Sequence, residues 1–182
     1  TDAIRAIREV APNIHIKAFT AVEIVHLAKI SKRGKDGNAG IASVINELVD
    51  VGLGSLPGGG AEVFDDRIHD EAFRGKIRGQ QWMDVHRVAH ELGLNSNATM
   101  LYGHIESRIE RLQHMALLRE EQDRASEDNI QGKFQAIIPL PFIPGVSEFA
   151  HLPGPSGIEN LRTIAVSRLM LDNVPHVKAF WI

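Results

Sequence analysis

The chain contains no cysteine, a single tyrosine, and aromatic residues at only 5% of its positions. Without cysteine, neither a disulfide framework nor thiolate ligation of a metal is available to these residues. An excess of charge of one sign is lacking too: 20 Lys and Arg stand against 23 Asp and Glu, a formal net charge of -3, and the basic residues are scattered. That balance carries no electrostatic footprint for nucleic acid, which is excluded as an expected partner. The longest uncharged apolar stretch, AIIPLPFIPGV at 136–146, is too short to span a bilayer and is broken by prolines. No basic-then-apolar leader opens the sequence, so the expectation is a cytoplasmic protein with no membrane partner. There is no Walker loop, no GxGxxG and no GxSxG elbow, which removes the usual signatures of nucleotide cradles and acyl-transfer nucleophiles.

What is present is the make-up of a soluble globular domain with a sizeable core: 182 residues, 43% hydrophobic and 24% charged. Five short runs read as strands: IHIKAF (14–19), GSLP (54–57), NSNATMLY (95–102), FQAIIPL (134–140) and HVKAFW (176–181). Between them lie helical patterns. Ile41, Val44, Leu48 and Val51 precede Gly52, and Trp82, Val85, Ala89 and Leu92 precede Gly93, each glycine suited to a left-handed cap. Ile105, Ile109, Leu112 and Ala116 form a stripe on the next, and Ile158, Leu161, Ala165 and Leu169 on the last. There Ser156 can cap the helix while Glu159 reaches back to it. Strands alternating with helices predict an α/β fold with a parallel sheet curling toward a TIM-like (β/α) barrel. A full eight-unit barrel needs about 250 residues. Five strands in 182 residues therefore predict a single partial barrel, about strands 3 to 7, truncated at both ends, whose open edges invite association, a homo-oligomer included.

Strand alternation assigns the faces. His15, Lys17 and Phe19 should point into the barrel, as should His176, Lys178 and Phe180 in the near-repeat HVKAF; from NSNATMLY the inward set is Asn95, Asn97, Thr99 and Leu101. An interior with two lysines and two asparagines suits a small-molecule ligand, although lysines snorkelling to the barrel ends would read the same. Reactive groups in such barrels collect at the carboxyl ends of strands. Here those ends carry Glu23, Glu62, His104, Glu106, Pro139 and Pro141, together with the glycines at 58–60, whose bare backbone a ligand can approach. His86 and His90 have the i, i+4 spacing of a metal pair but lie where a helix must pack on the sheet, and no metal ligand is assigned. His69, His114 and His151 read as surface residues, and the basic stretch SKRGKDG (31–37) as a solvated loop.

The segments KAFTAVEI, GLGSLPGGGAEVF, AHELGLNSNATMLYGHIES, LLREEQD and FQAIIPLPFIPG, in this order and spacing, resemble the radical S-adenosylmethionine enzymes of menaquinone biosynthesis by the futalosine pathway. The resemblance implies a βα barrel whose first strand precedes a three-cysteine loop holding a 4Fe-4S cluster, with S-adenosylmethionine as the source of a 5'-deoxyadenosyl radical. In the branch these motifs fit best, that radical is implied to add to the enolpyruvyl double bond of 3-[(1-carboxyvinyl)oxy]benzoate, giving aminofutalosine. Dehypoxanthine futalosine cyclase and the FO synthase halves look similar at the same places.

The segment TMLYGHIE resembles the superfamily's GxIxGxxE strand, with Thr99 in place of the first glycine and Leu101, Gly103 and Glu106 filling the rest. The resemblance implies that this backbone borders the adenine and that the glutamate steadies the following turn. It also implies that Ser55, Gly58, Gly59 and Glu62 approach the ribose and methionine, and that Pro139 borders the adenine; Asn97, inward on the same strand as Thr99, is grouped with this cofactor set. For the substrate's two carboxylates, facing alone nominates Lys17, Lys178, His104 and Arg119. No catalytic residue is assigned. The cluster cysteines and the outer strands of the family pattern are missing, so the chain as it stands is expected not to cleave S-adenosylmethionine. Two other readings stay open: a cluster-free barrel lyase or aldolase using Lys17 or Lys178 as a Schiff base, and a non-catalytic assembly module.

Overall fold

A computed structural model of the chain describes residues 1–145 and 147–180. Its elements run α1 (Asp2–Val10), α2 (Ala21–Ile30), a single 3-10 turn (Gly34–Asp36), α3 (Gly37–Asp50), β1 (Ser55–Leu56), α4 (Asp66–Ala72), α5 (Gly79–Glu91), β2 (Asn95–Tyr102), α6 (Arg108–Glu127), β3 (Phe134–Pro141), α7 (Gly157–Met170) and β4 (His176–Val177). The starts of α2, α4, α6 and α7 carry side-chain caps. Thr20 with Glu23 opens α2 and Ser107 with Glu110 opens α6, each as a reciprocal capping box. Ser156 caps α7 as its sequence predicts, but the Glu159 carboxylate goes instead to Arg111 (2.8 Å) and Arg108 (3.1 Å), where two guanidinium groups outbid one backbone amide.

The four strands form one all-parallel sheet in the order β1-β2-β3-β4, with helices between successive strands, as the α/β partial-barrel reading requires. The segment expected as the first strand contributes only a bridge between Lys17 and Ser55. Of the last expected strand, His176–Val177 pairs with Ala136 and Ile137, while Trp181 lies outside the described residues. In β2 the side chains of Ser96, Ala98, Met100 and Tyr102 meet the helices, and Asn95, Asn97, Thr99 and Leu101 take the other face, which is here called the trough. A register shift beside Ser96 and Asn97 then sets Asn97 against Ala136 and Thr99 against Ile138. From that point Ala136, Ile138 and Leu140 line the trough, and Ile137, Pro139 and Pro141 face the helices.

The core lies between sheet and helices. Ile41, Val44, Ile45 and Leu48 of α3 and Trp82, Val85 and Ala89 of α5 are buried with Ala98, Met100, Phe134 and Ile137. Each large side chain of this set contributes on the order of 1.5–3 kcal/mol by leaving water. On α6 and α7 the sequence expectation is overturned. The stripe expected to pack inward is the outer one: Ile109 is 67% exposed, Ile158 66%, Leu161 67% and Leu169 78%. The faces turned to the sheet hold His114, Met115, Leu118, Glu121, Gln122 and Ala125 on α6, and Thr163 and Ser167 on α7. Among the described residues no helix is long and apolar enough to cross a membrane.

Candidate active-site rim and trough

The loops after β1 and β2 are tied together at the carboxyl end of the sheet. The Thr99 hydroxyl donates to Gly58 O at 2.6 Å, and Leu101 N donates to Glu62 O at 3.0 Å. The glycine-rich loop and the TMLYGHIE segment thus form one continuous rim. Much of the loop's bareness is consumed by packing. A Cβ on Gly58 would stand 2.6 Å from Asn97 O and 2.7 Å from the Ala98 carbonyl carbon, so strand β2 occupies the space a side chain would need. Gly60 has φ +86 and would drive a Cβ to 2.5 Å from Val22 Cγ2. The Gly59 carbonyl accepts from Trp82 Nε1 at 3.2 Å, which anchors the loop to α5. Two non-glycine residues with positive φ, Phe19 (+62) and Glu62 (+49), also sit at strand ends on this rim. The Glu62 carboxylate is held by Lys76 Nζ at 2.6 Å.

After β2 the chain turns on Glu106. Its carboxylate accepts from Gly103 N at 2.6 Å and His104 N at 2.9 Å, and Arg111 Nε donates to it at 2.6 Å. With its side chain fully buried, Glu106 is a fastener for the turn, and its acceptor capacity is spent within the protein. The same turn buries His104, whose Nε2 donates to Leu101 O at 3.1 Å. Burial pushes its imidazole pKa below the ordinary value, partly offset by the Glu106 charge. His104 faces the edges of Phe73 and Phe142. These three side chains, with Leu101 and Phe149, border a cleft of about 300 Å³ beside the rim. An apolar, aromatic-edged cleft of that size suits a flat heteroaromatic ring.

The trough below the rim carries the polar inward set. His15 Nε2 bonds Ser55 Oγ at 2.8 Å, and a shallow cleft of about 160 Å³ runs along His15, Lys17, Ser55, Asn95 and Asn97. Burial first, and the neighbouring charge of Lys178 second, push the Lys17 pKa below the ordinary lysine value.

The expected site residues therefore divide into groups. Gly58, Gly59, Glu62, Thr99, Leu101 and Gly103 belong to or adjoin the rim, whereas Ser55, level with Asn95, lies in the trough with Asn97, Lys17 and Lys178. Pro139 lies on the helix side of β3 beside Met100, so the sixth-strand surface offered to a ligand is that of Ile138 and Leu140. Arg119 is not brought to the site. On α6 it pairs with Asp172 and donates to Met170 O at 2.8 Å, beyond the carboxyl end of α7 and away from the strand ends that form the rim. His114, expected at the surface, is fully buried: Phe64 N donates to its Nδ1 at 3.2 Å and its Nε2 donates to Thr99 O at 3.0 Å. His86 and His90 are also buried, bracketing the Ser96 hydroxyl at 2.8 Å each, and among the described residues no group of three or more metal-ligating side chains forms. Sequence reasoning missed the Phe73–Phe142 cleft, for which the only signal is Phe142 inside the quoted PLPFIPG run.

No family model matches the chain. It is similar over 99% of its length to the aminodeoxyfutalosine synthase of Thermus thermophilus, with 42% identity over 184 residues, and to that of Streptomyces coelicolor, with 39% over 190; in each case it covers 46% of the relative. The FO synthase of Mycobacterium tuberculosis is 33% identical over 186 residues, all of this chain and 20% of that protein. The resemblance carried by the motifs thus extends over essentially the whole chain, and the chain spans about half the length of the synthases it matches.

Proposed function

We propose that the chain is the central βα portion of an aminodeoxyfutalosine synthase, a radical S-adenosylmethionine enzyme of menaquinone biosynthesis. The observation that carries this reading is the joined rim: the two motifs nominated for the cofactor, SLPGGGAE and TMLYGHIE, share hydrogen bonds at Thr99–Gly58 and Leu101–Glu62. Had they lain at opposite ends of the sheet, no single nucleoside could touch both. The 42% identity to a synthase supports the same member of the family over FO synthase and its kin.

When bound, S-adenosylmethionine on a reduced 4Fe-4S cluster supplies a 5'-deoxyadenosyl radical. These residues fit the nucleoside part of that assembly and not the cluster, because no thiolate exists among them. The aromatic-edged cleft beside Leu101 and His104 accepts the purine, and the turn held by Glu106 keeps the Gly103 backbone rigid against it. The trough below excludes acidic groups and offers its lysines to the acidic substrate, 3-[(1-carboxyvinyl)oxy]benzoate. As one incomplete barrel core the chain binds but does not cleave the cofactor.

Titration with S-adenosylhomocysteine, followed by backbone amide NMR, tests the reading. Expected are shifts confined to residues 57–62 and 99–104 and to the Phe142 loop, and no 5'-deoxyadenosine after anaerobic iron-sulfide reconstitution with reductant. Shifts elsewhere on the molecule, or cofactor cleavage by this chain, would falsify it.

A further inference from the structure

Between α6 and α7 lies a groove of about 430 Å³, open to solvent and remote from the rim. Met115 and Thr163, both buried, form its floor, and Leu112 of α6 and Val166 of α7 belong to its walls. Its two ends are clasped. At the start of the helices Arg111 Nη1 donates to the Glu159 carboxylate at 2.8 Å and to Thr163 Oγ1 at 3.3 Å, and Arg108 donates to the same carboxylate at 3.1 Å. At the far end Arg119 donates to Met170 O at 2.8 Å, while Asn173 Nδ2 donates to Arg119 O at 3.1 Å and to Asp123 at 2.8 Å. The clasps set the spacing of the two helices, so the groove is formed before anything enters it. Between them it runs for about three helical turns, roughly 16 Å at the rise of a helix.

Apolar surface continues on both banks. The turn of about 100° per residue puts Ile109 beside Leu112 on α6, and Ile158 and Leu169 beside Arg162 on α7, and Ile109, Ile158 and Leu169 are all largely exposed. A contiguous aliphatic surface rimmed by charge is the mark of an interaction site. The rim has a sign. Arg108, Arg111 and Arg162 line the cavity with Glu159 as the carboxylate among them, and Glu106 engages Arg111 from the turn beneath. Arg108 and Arg162 are exposed, one on each bank.

We propose that the α6–α7 groove receives an amphipathic helix of a separate protein, with its aliphatic stripe on Leu112, Met115 and Val166 and its flanking carboxylates on Arg108 and Arg162. A furrow between two fixed helices takes a third by ridges-into-grooves packing, and anchors spaced along one helical face read it. Guanidinium groups on both banks match acidic flanks and repel basic ones. The helices of a βα barrel form a single outer layer. Further βα units would therefore extend the ring sideways and leave the outside of this groove open, which is why the helix comes from another protein. A bilayer is the poorer match, because it needs apolar side chains that protrude, and here the floor is recessed between clasped helices. The inference stands apart from the function proposed for the rim.

The test titrates the chain with a synthetic peptide of about fourteen residues, leucine at alternate third and fourth positions and glutamate on both flanks, followed by backbone amide NMR and circular dichroism. Expected are saturable shifts confined to residues 108–119 and 158–170, with a gain of helix in the peptide. The same peptide with lysine for glutamate should bind about tenfold more weakly. Arg162→Gln and Ile158→Gln should each weaken the glutamate peptide about fivefold; both side chains are exposed, so both variants fold, which circular dichroism of the free chain checks. Absence of saturable shifts, shifts elsewhere on the molecule, equal binding of the lysine peptide, or unchanged affinity in the two variants each overturn the proposal. So does transfer of the chain from the peptide to phosphatidylglycerol vesicles, which would make the face a membrane surface. Sedimentation showing that the chain pairs with itself through these residues would assign the groove to a second copy and overturn it as well.

Discussion

Helices α3 and α5, which flank β1 in the chain, and α6 and α7, which flank β3, pack on the same face of the sheet in different ways. The first pair turns its apolar stripe inward: Ile41, Val44, Leu48, Trp82, Val85 and Ala89 are all buried. The second pair turns a mixed face inward, with Met115, Leu118 and Ala125 beside Glu121, Gln122, Thr163 and Ser167, and leaves the stripe of Ile109, Ile158, Leu161 and Leu169 in solvent. Those polar groups are bonded individually. Gln122 donates to Phe134 O at 3.0 Å and accepts from Phe134 N at 2.9 Å, closing the start of β3, and Glu121 gathers Arg87 and Arg124. The contrast teaches that hydrophobic periodicity locates a helix reliably but its inward face only where the contact is apolar.

Acid should act on both pairs, through histidines that α5 and α6 bury in neutral form. Burial drives His86 well below the ordinary imidazole pKa, His90 to about 4 and His114 to about 3. In the unfolded chain these groups take up protons near pH 6.5, whereas the folded protein resists until pH 4 or below. The unfolded state therefore binds more protons across that window, and stability falls as pH drops from 6.5 toward 4, by about 1.4 kcal/mol per pH unit for each histidine. Urea unfolding at pH 7 and pH 5 should reveal a loss of several kcal/mol. In a His86→Leu/His90→Leu variant the slope should shrink to what His104 and His114 supply. An unchanged slope would move the acid sensitivity off α5.

Next in size is Trp82→Ala. The indole is fully buried, stacks on His86 at 3.8 Å between centroids, and donates to Gly59 O. Removing it should cost about 3–5 kcal/mol by emptying the α5–β2 contact. It should also free the glycine loop from its anchor, so amide exchange at Gly59 and Gly60 should rise above that of the β3 core. A loss below about 1 kcal/mol would mean that α5 does not rely on its apolar face, and the contrast with α7 would disappear.

Much of this was legible because strand and rim are local affairs. Strand β2 falls on 95–102 as its alternation predicts, since both of its faces are occupied and a one-residue slip would bury the wrong set. Lys17 and Lys178 face the trough as alternation predicts. Segment 14–19 looks like a strand and scarcely pairs, because at the margin of the described sheet β1 offers it a two-residue partner. Arg119 misled because its place depends on which face α6 turns inward, and the stripe of Ile109 and Leu112 pointed the other way. The Lys76 grip on Glu62 comes from an aperiodic loop with no sequence signal at all.

The smallest expected effect is the most exacting for the contrast. Leu161→Gln removes an apolar side chain that is 67% exposed at the centre of the α7 stripe. If that stripe truly faces water, unfolding free energy should move by no more than about 0.5 kcal/mol, against several for Trp82→Ala, with the same result at every protein concentration. A loss above about 1 kcal/mol that grows with protein concentration would mean that another copy covers the stripe in solution. A loss of that size independent of concentration would instead put Leu161 in contact within its own chain. In that case α7 would pack as α5 does, and the inward polar face of Thr163 and Ser167 would be the error.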